Sequence, residues 1–172
     1  MLAILKLLQS LFKTLHSQGT PGQVAAGIML GVGLGLSPIL SGHNLVLFAA
    51  LVLLNVSFGG GMLGMALFTP LGFLLDPVFN RLGFALLDAP GLQGLWTSLY
   101  NTPLVPYTSF NNTVTLGALA AWVVLALPIY VGAKAAIATY RAKYGVRVEN
   151  SRLMKAVKAS KFNTLYTWFR TQ

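Results

Sequence analysis

Between Lys13 and Lys134 only three side chains carry a formal charge: Asp76, Arg81 and Asp88. A soluble domain draws about a quarter of its residues from Asp, Glu, Lys and Arg, whereas here the charged fraction is 9% and the apolar fraction 55%. Burying so little charge in so much apolar chain leaves acyl chains, not water, as the solvent of this stretch. At 172 residues the chain allows one domain at most. The expected fold class is an all-α integral membrane protein. It should have about four membrane helices, some of them short, broken or re-entrant. Amphipathic interfacial helices are expected at the N-terminus, the outer loop and the C-terminus.

The net charge of +9 is segregated to the two ends. Lys6 and Lys13 precede the apolar region, and Lys134, Arg141, Lys143, Arg147, Arg152, Lys155, Lys158, Lys161 and Arg170 follow it. Basic residues that flank apolar spans stay on the cytoplasmic side and attract anionic head groups there. Both termini are therefore expected in the cytoplasm of a bacterial inner-membrane, multi-pass protein. With no soluble basic domain behind this charge, nucleic acid is not expected as a partner. The chain has no cysteine, so it offers no disulfide or thiolate metal site.

Five regions follow. Residues 1–18 place Ile4, Leu7, Leu8, Leu11 and Leu15 on one helical face opposite Lys6, Gln9 and Lys13, as in a helix lying in the cytoplasmic interface. Residues 19–88 form Gly/Pro-broken membrane hairpins. Thr20-Pro21-Gly22-Gln23 is a helix start with its capping residues, and Ser37-Pro38, Thr69-Pro70 and Asp76-Pro77 repeat the polar-Pro pattern. Each pair either opens a helix or kinks a continuing one. Read as breaks, they give pieces at 22–38, 39–56 and 58–75, each about 24–28 Å long as a helix against a hydrocarbon thickness near 30 Å. Whether 22–56 spans or re-enters is left open. The offset that carries Ser37-Pro38 onto Thr69-Pro70 suggests two related hairpins. Residues 89–112 form an aromatic periplasmic interfacial loop, residues 113–135 the final transmembrane helix, and residues 136–172 a basic cytoplasmic tail. If the third piece ends at Leu75, the outer loop begins at Asp76.

Four sets of residues are candidates for function. Gly27, Gly31 and Gly35 share one helix face, a glycine-zipper spacing that lets helices approach closely within the chain or between copies. His43 and Asn44 either meet a lipid or other ligand or satisfy the backbone of a turn. Asp76, Asn80 and Arg81 are the ionisable and polar set nearest hydrocarbon. They form either a helix cap with an ion pair or a site for a phosphate head group. In the outer loop Trp96, Tyr100, Asn101, Tyr107, Phe110, Asn111 and Asn112 are dense enough to be either an interfacial anchor or a docking face for a partner. No metal-ligand spacing or nucleophile–base pair is visible, so neither an enzyme nor a cofactor is expected.

Several phrases carry a family resemblance: Ser41-Gly42-His43-Asn44-Leu45, Leu75-Asp76-Pro77-Val78-Phe79, the run Leu95-Trp96-Thr97-Ser98-Leu99-Tyr100-Asn101-Thr102-Pro103, and Phe110-Asn111-Asn112-Thr113. Together they resemble a family of small bacterial inner-membrane proteins, a branch of the grouping called "domain of unknown function 2062". The resemblance implies a dedicated partner, because such proteins are encoded beside a much larger envelope protein. Through the wider grouping it also implies work on lipid. The expected function is a non-enzymatic inner-membrane subunit that anchors a large periplasmic partner, extending to lipid transport between envelope membranes. The alternative is a small solute or ion transporter with discontinuous helices that uses Arg81. A homo-oligomeric scaffold built on the glycine face is a third reading.

Overall fold

The computed structural model describes residues 19–38 and 41–149. The expected N-terminal amphipathic helix and the basic segment beyond residue 149 lie outside the described residues. The fold is all-helical, at 85% helix, with no strand among the described residues.

Helix α1, Pro21–Leu36, starts where the sequence says it should. The Thr20 hydroxyl accepts from the Gln23 backbone N–H at 3.2 Å, and the Gln23 side chain accepts from the Thr20 N–H at 2.8 Å. It stops at Ser37, which the following proline holds extended at φ −108°, ψ 157°. Helix α2, Gly42–Leu53, folds back along α1, with Leu47 and Leu51 packed on Leu30 and Leu34. A short turn then leads to helix α3, Phe58–Asp88, capped by Ser57 Oγ, which accepts from Gly60 N at 3.1 Å. Helix α4, Gln93–Tyr100, and two 3-10 turns at Pro90–Leu92 and Val105–Thr108 connect α3 to helix α5, Thr113–Glu149.

Thr69-Pro70 and Asp76-Pro77 do not break the chain; both prolines lie inside α3. The difference from Thr20 lies in what the hydroxyl does. Thr20 accepts from an N–H ahead of it, the act of a cap, whereas Thr69 donates backwards to the Met65 carbonyl at 2.8 Å and leaves the helix running. Three expectations change as a result. The third piece does not end at Leu75, residues 76–88 are helix rather than loop, and no second hairpin turn follows Thr69 to match the one after Ser37. The final helix likewise continues past 135, through Pro128, to Glu149.

Helices α1 and α3 run parallel, side by side. Gly60 meets the Val24 carbonyl, Gly64 that of Ile28 and Gly72 that of Gly35. Helix α5 runs against both: Thr113 lies on Gly83, Trp122 on Gly33, and Ile137 on Val24 and Ala25. Most of α1 is therefore enclosed by the other helices. The two long helices are the reverse, with only 22% of the most apolar window of each buried. Leu74 is 77% exposed, Phe73 72% and Val124 74%. The core helix of a soluble protein would bury such residues. A 31-residue helix rises about 46 Å, enough to cross a bilayer with some tilt. Two helices, α3 and α5, are thus long and apolar enough to cross a membrane, and their outward faces are apolar, as in a membrane protein. Helices α1 and α2 fall short of that length.

Candidate functional site

Gly27, Gly31 and Gly35 of α1 face α3 within the same chain. A Cβ on Gly31 would collide with the Gly61 carbonyl, one on Gly27 with that of Ser57, and one on Gly35 would lie 2.8 Å from that of Met65. The obstacles are backbone atoms, so no rotamer change relieves them. This face is occupied by α3, and an oligomer contact through it has no room.

At the hairpin tip a small polar network closes the turn between α1 and α2. Asn44, 5% exposed, donates through Nδ2 to the Pro38 carbonyl at 3.0 Å, and Ser41 Oγ donates to the same carbonyl at 2.6 Å. The Ser37 hydroxyl lies 2.9 Å from the Gly33 carbonyl and 3.0 Å from Asn44 Oδ1, both acceptors. Its single proton is committed to one of them, so His43 Nε2, 2.9 Å away, must carry its own proton and donate to Ser37. Asn44 and His43 are thus tied to a turn whose proline has removed a backbone donor. Ser37 and Ser41 belong to the same network, although the sequence marks them only as turn residues.

The ionisable set is not assembled. Asp76 is half-buried inside α3 and caps no helix, and Arg81 is exposed. No ion pair joins them. Once the helix continues through Pro77, five residues of separation put the two side chains about 140° apart around the axis, outside the three- or four-residue spacing that brings helical side chains together. Asn80, four residues after Asp76, instead receives the hydroxyl hydrogen of Thr113 at the start of α5.

Aromatic residues of the segment between α3 and α5 do come together. Trp96 and Phe110 stack at 6.2 Å between ring centroids, with planes 26° apart, and the Trp96 Nε1–H donates to the Leu86 carbonyl at 2.9 Å. That bond fastens α4 to the last turn of α3. An open cleft of about 370 Å³ lies beside the stack, lined among others by Gln93, Trp96, Tyr100, Asn101, Phe110 and Asn111. Tyr107 does not line it; it projects into solvent, 83% exposed, as does Leu104 at 77%. Leu104 and Ser109 hold left-handed backbone at φ 71° and 62°. That conformation costs a non-glycine residue of order 1 kcal/mol or more and persists only where the surroundings impose it.

A second cleft, about 460 Å³, opens between the hairpin tip and the start of α5, lined by Pro38, Ser41, Ser109, Asn111, Asn112 and Thr115. Asn112 caps α5: its Oδ1 accepts from Thr115 N at 3.0 Å and its carbonyl from Leu116 N at 2.9 Å. Thr115 belongs to none of the four candidate sets read from the sequence, where it is the ordinary beginning of an apolar run. The Asn-Asn pair just ahead of that run was the available sign of a polar helix start.

At the opposite end of the bundle, Arg141 Nη1 donates to the Gly19 carbonyl at 2.7 Å, and Lys134 Nζ sits 5.9 Å over the Tyr130 ring. Midway, the Trp122 Nε1–H reaches the Met29 carbonyl at 2.9 Å across the groove that Gly33 leaves open. No group of three or more His, Asp or Glu able to hold a metal occurs among the described residues.

No family model matches the chain. No solved structure matches it either. A curated relative from Treponema pallidum (strain Nichols), named only as an uncharacterized protein, is 30% identical over 158 residues, covering 90% of this chain and 96% of the relative. Identity at that level along nearly the full length of both places this chain in one family with the Treponema pallidum protein.

Proposed function

We propose that this protein is a non-enzymatic inner-membrane subunit that presents its aromatic outer end to a large periplasmic partner. The resemblance to the "domain of unknown function 2062" grouping supports the same reading. In the proposed arrangement α3 and α5 cross the bilayer, while the α1–α2 hairpin enters and leaves on the side where both termini lie. The parity is the same whether that hairpin reaches the far surface or turns within the lipid. Charge supports the orientation. Lys134, Arg141 and Lys143 lie at the end where α1 begins, and beyond Arg81 the far end carries Asp88 and no cation up to Lys134.

The observation that carries the partner reading is the shape of the outer loop. A lipid anchor needs only aromatic rings at head-group depth. Here the rings of Trp96 and Phe110 are spent on each other and on fastening α4. That rigid base holds Leu104 and Tyr107 outward on backbone that one of them adopts at a cost. Presenting fixed apolar and aromatic side chains without loss of entropy is what a protein interface requires.

The test is purification of the full chain from its native membranes in a mild detergent at native abundance. A large protein with an envelope-facing domain should co-purify. The double variant Leu104→Ala, Tyr107→Ala should weaken its binding about thirtyfold while the bundle itself stays folded, the scale of one interface hot spot. A chain that elutes alone, or a double variant that holds the partner as well as the parent, removes the reading.

A further inference from the structure

We propose that the cleft between the hairpin tip and the start of α5 is a binding site for a phosphate group. This goes beyond the partner reading. Only its assignment to a lipid head group rests on the same crossing of the membrane.

Three observations carry it. First, Thr115 is only 3% exposed, yet its side chain makes no hydrogen bond while it lines the cleft. Thr69 and Thr97, each with a helical turn behind it, donate to the carbonyl four residues earlier, Met65 and Gln93. Thr115, the third residue of α5, has no helical turn behind it to receive its hydroxyl, which is left to whatever occupies the cleft.

Second, the cleft is rich in donors. Asn112 spends its side-chain oxygen on Thr115 N, so its amide nitrogen is what remains to offer. Asn111 and Ser109 line the same wall and make no side-chain hydrogen bond of their own, and no carboxylate lines the cleft. Third, the wall is the first turn of a 37-residue helix. The leading N–H groups of such a turn have no intrahelical acceptor, and the helix dipole favours an anion there. Neutral hydroxyl and amide donors with no carboxylate among them, at the positive end of a long helix, can meet the oxygens of a phosphate.

Depth points to the source. The hairpin tip stands about 24 Å from the start of α1, the rise of its 16 residues. A hydrocarbon core is near 30 Å thick, so in the proposed crossing the cleft falls about 6 Å short of the outer head groups, within reach of a phospholipid phosphate drawn down to it.

The experiment uses the full chain in detergent with three probes: short-chain phosphatidylglycerol, glycerol phosphate and inorganic phosphate. Binding is followed by ³¹P NMR titration, and the Tm of each variant is measured alongside. The parent should bind phosphatidylglycerol, and Thr115→Val should weaken that binding about tenfold, the loss of one hydrogen bond to a charged group. Thr115→Ser should restore it. Competition by the two water-soluble probes would support the phosphate chemistry and assign it to a soluble ligand; failure to compete would assign it to a lipid. Equal binding by the parent and Thr115→Val overturns the proposal, as does a serine variant that behaves like the valine one. Partner recovery in the same preparations separates a failure here from a failure of the docking reading.

Discussion

Trp122 shows how much one side chain can do inside a seam. Its indole fills the space that Gly33 leaves, and its N–H reaches a carbonyl of α1 that already belongs to a helix. Trp122→Phe should keep most of the packing and lose only the hydrogen bond, lowering stability by about 1 kcal/mol, read from thermal unfolding in detergent. Gly31→Ala is the harsher change. A single methyl group there meets the Gly61 backbone, and overpacking of this kind costs about 1–3 kcal/mol; the same melting experiment should show the larger drop. Its oligomer size should not change, because the face it alters is turned inward. The spacing of Gly27, Gly31 and Gly35 identified that face from sequence. The face that covers it has the same spacing, Gly60 and Gly64 with Gly72 eight residues on, a signal that the adjoining glycines at 59 and 61 obscure in the sequence. Trp122 carried no signal at all, since an apolar stretch offers a tryptophan many environments.

At the scale of elements, the lesson lies in the prolines. Ser37-Pro38, Thr69-Pro70 and Asp76-Pro77 are alike as strings, and only the first ends a helix. The hydroxyl does not decide the outcome, since Ser37 and Thr69 both reach the carbonyl four residues earlier; the packing partners do. At Ser37 the chain must reverse to lay Leu47 and Leu51 on α1; at Thr69 it has α1 alongside and continues. The same ambiguity hid the fate of Asp76 and Arg81, whose pairing needed a turn that is not there. Junctions between elements were better marked. Gln23 closes the capping box of α1, donates through Nε2 to Asn55 Oδ1 at 2.9 Å, and accepts Ser57 N on its own carbonyl at 3.0 Å. Gln23→Ala should therefore loosen the start of α1 and the α2–α3 turn together, costing about 1–2 kcal/mol. If the Asn55 contact matters, a double-mutant cycle with Asn55→Ala will show less than additive losses.

For the whole molecule, composition had already argued that apolar surface faces outward, and the two long helices with their exposed Leu74, Phe73 and Val124 agree with it. The cleft around Trp96 is built from residues close in sequence, which the sequence groups together without showing a cleft. The second cleft is not legible at all, because it joins Ser41 to Thr115 across nearly half of the chain. The proposed orientation can be tested cleanly, since the natural chain contains no cysteine to remove. In sealed inverted vesicles a membrane-impermeant maleimide should label Lys143→Cys and spare Tyr107→Cys; in intact spheroplasts the pattern should reverse. Labelling of both positions from one side would rule out the arrangement.

The enclosure of α1 also bears on how the molecule is made. The first helix out of the ribosome in the described region is the one that depends most on neighbours not yet synthesised. Its bond to Trp122 spans 93 residues of chain and its closure by Arg141 spans 122. Contacts so remote in sequence form late, and until α5 arrives a short, glycine-rich helix has only α2 and α3 to shelter it. Assembly is thus gated by the C-terminal half, and a nascent chain stalled before Thr113 is the form that quality-control proteases should recognise.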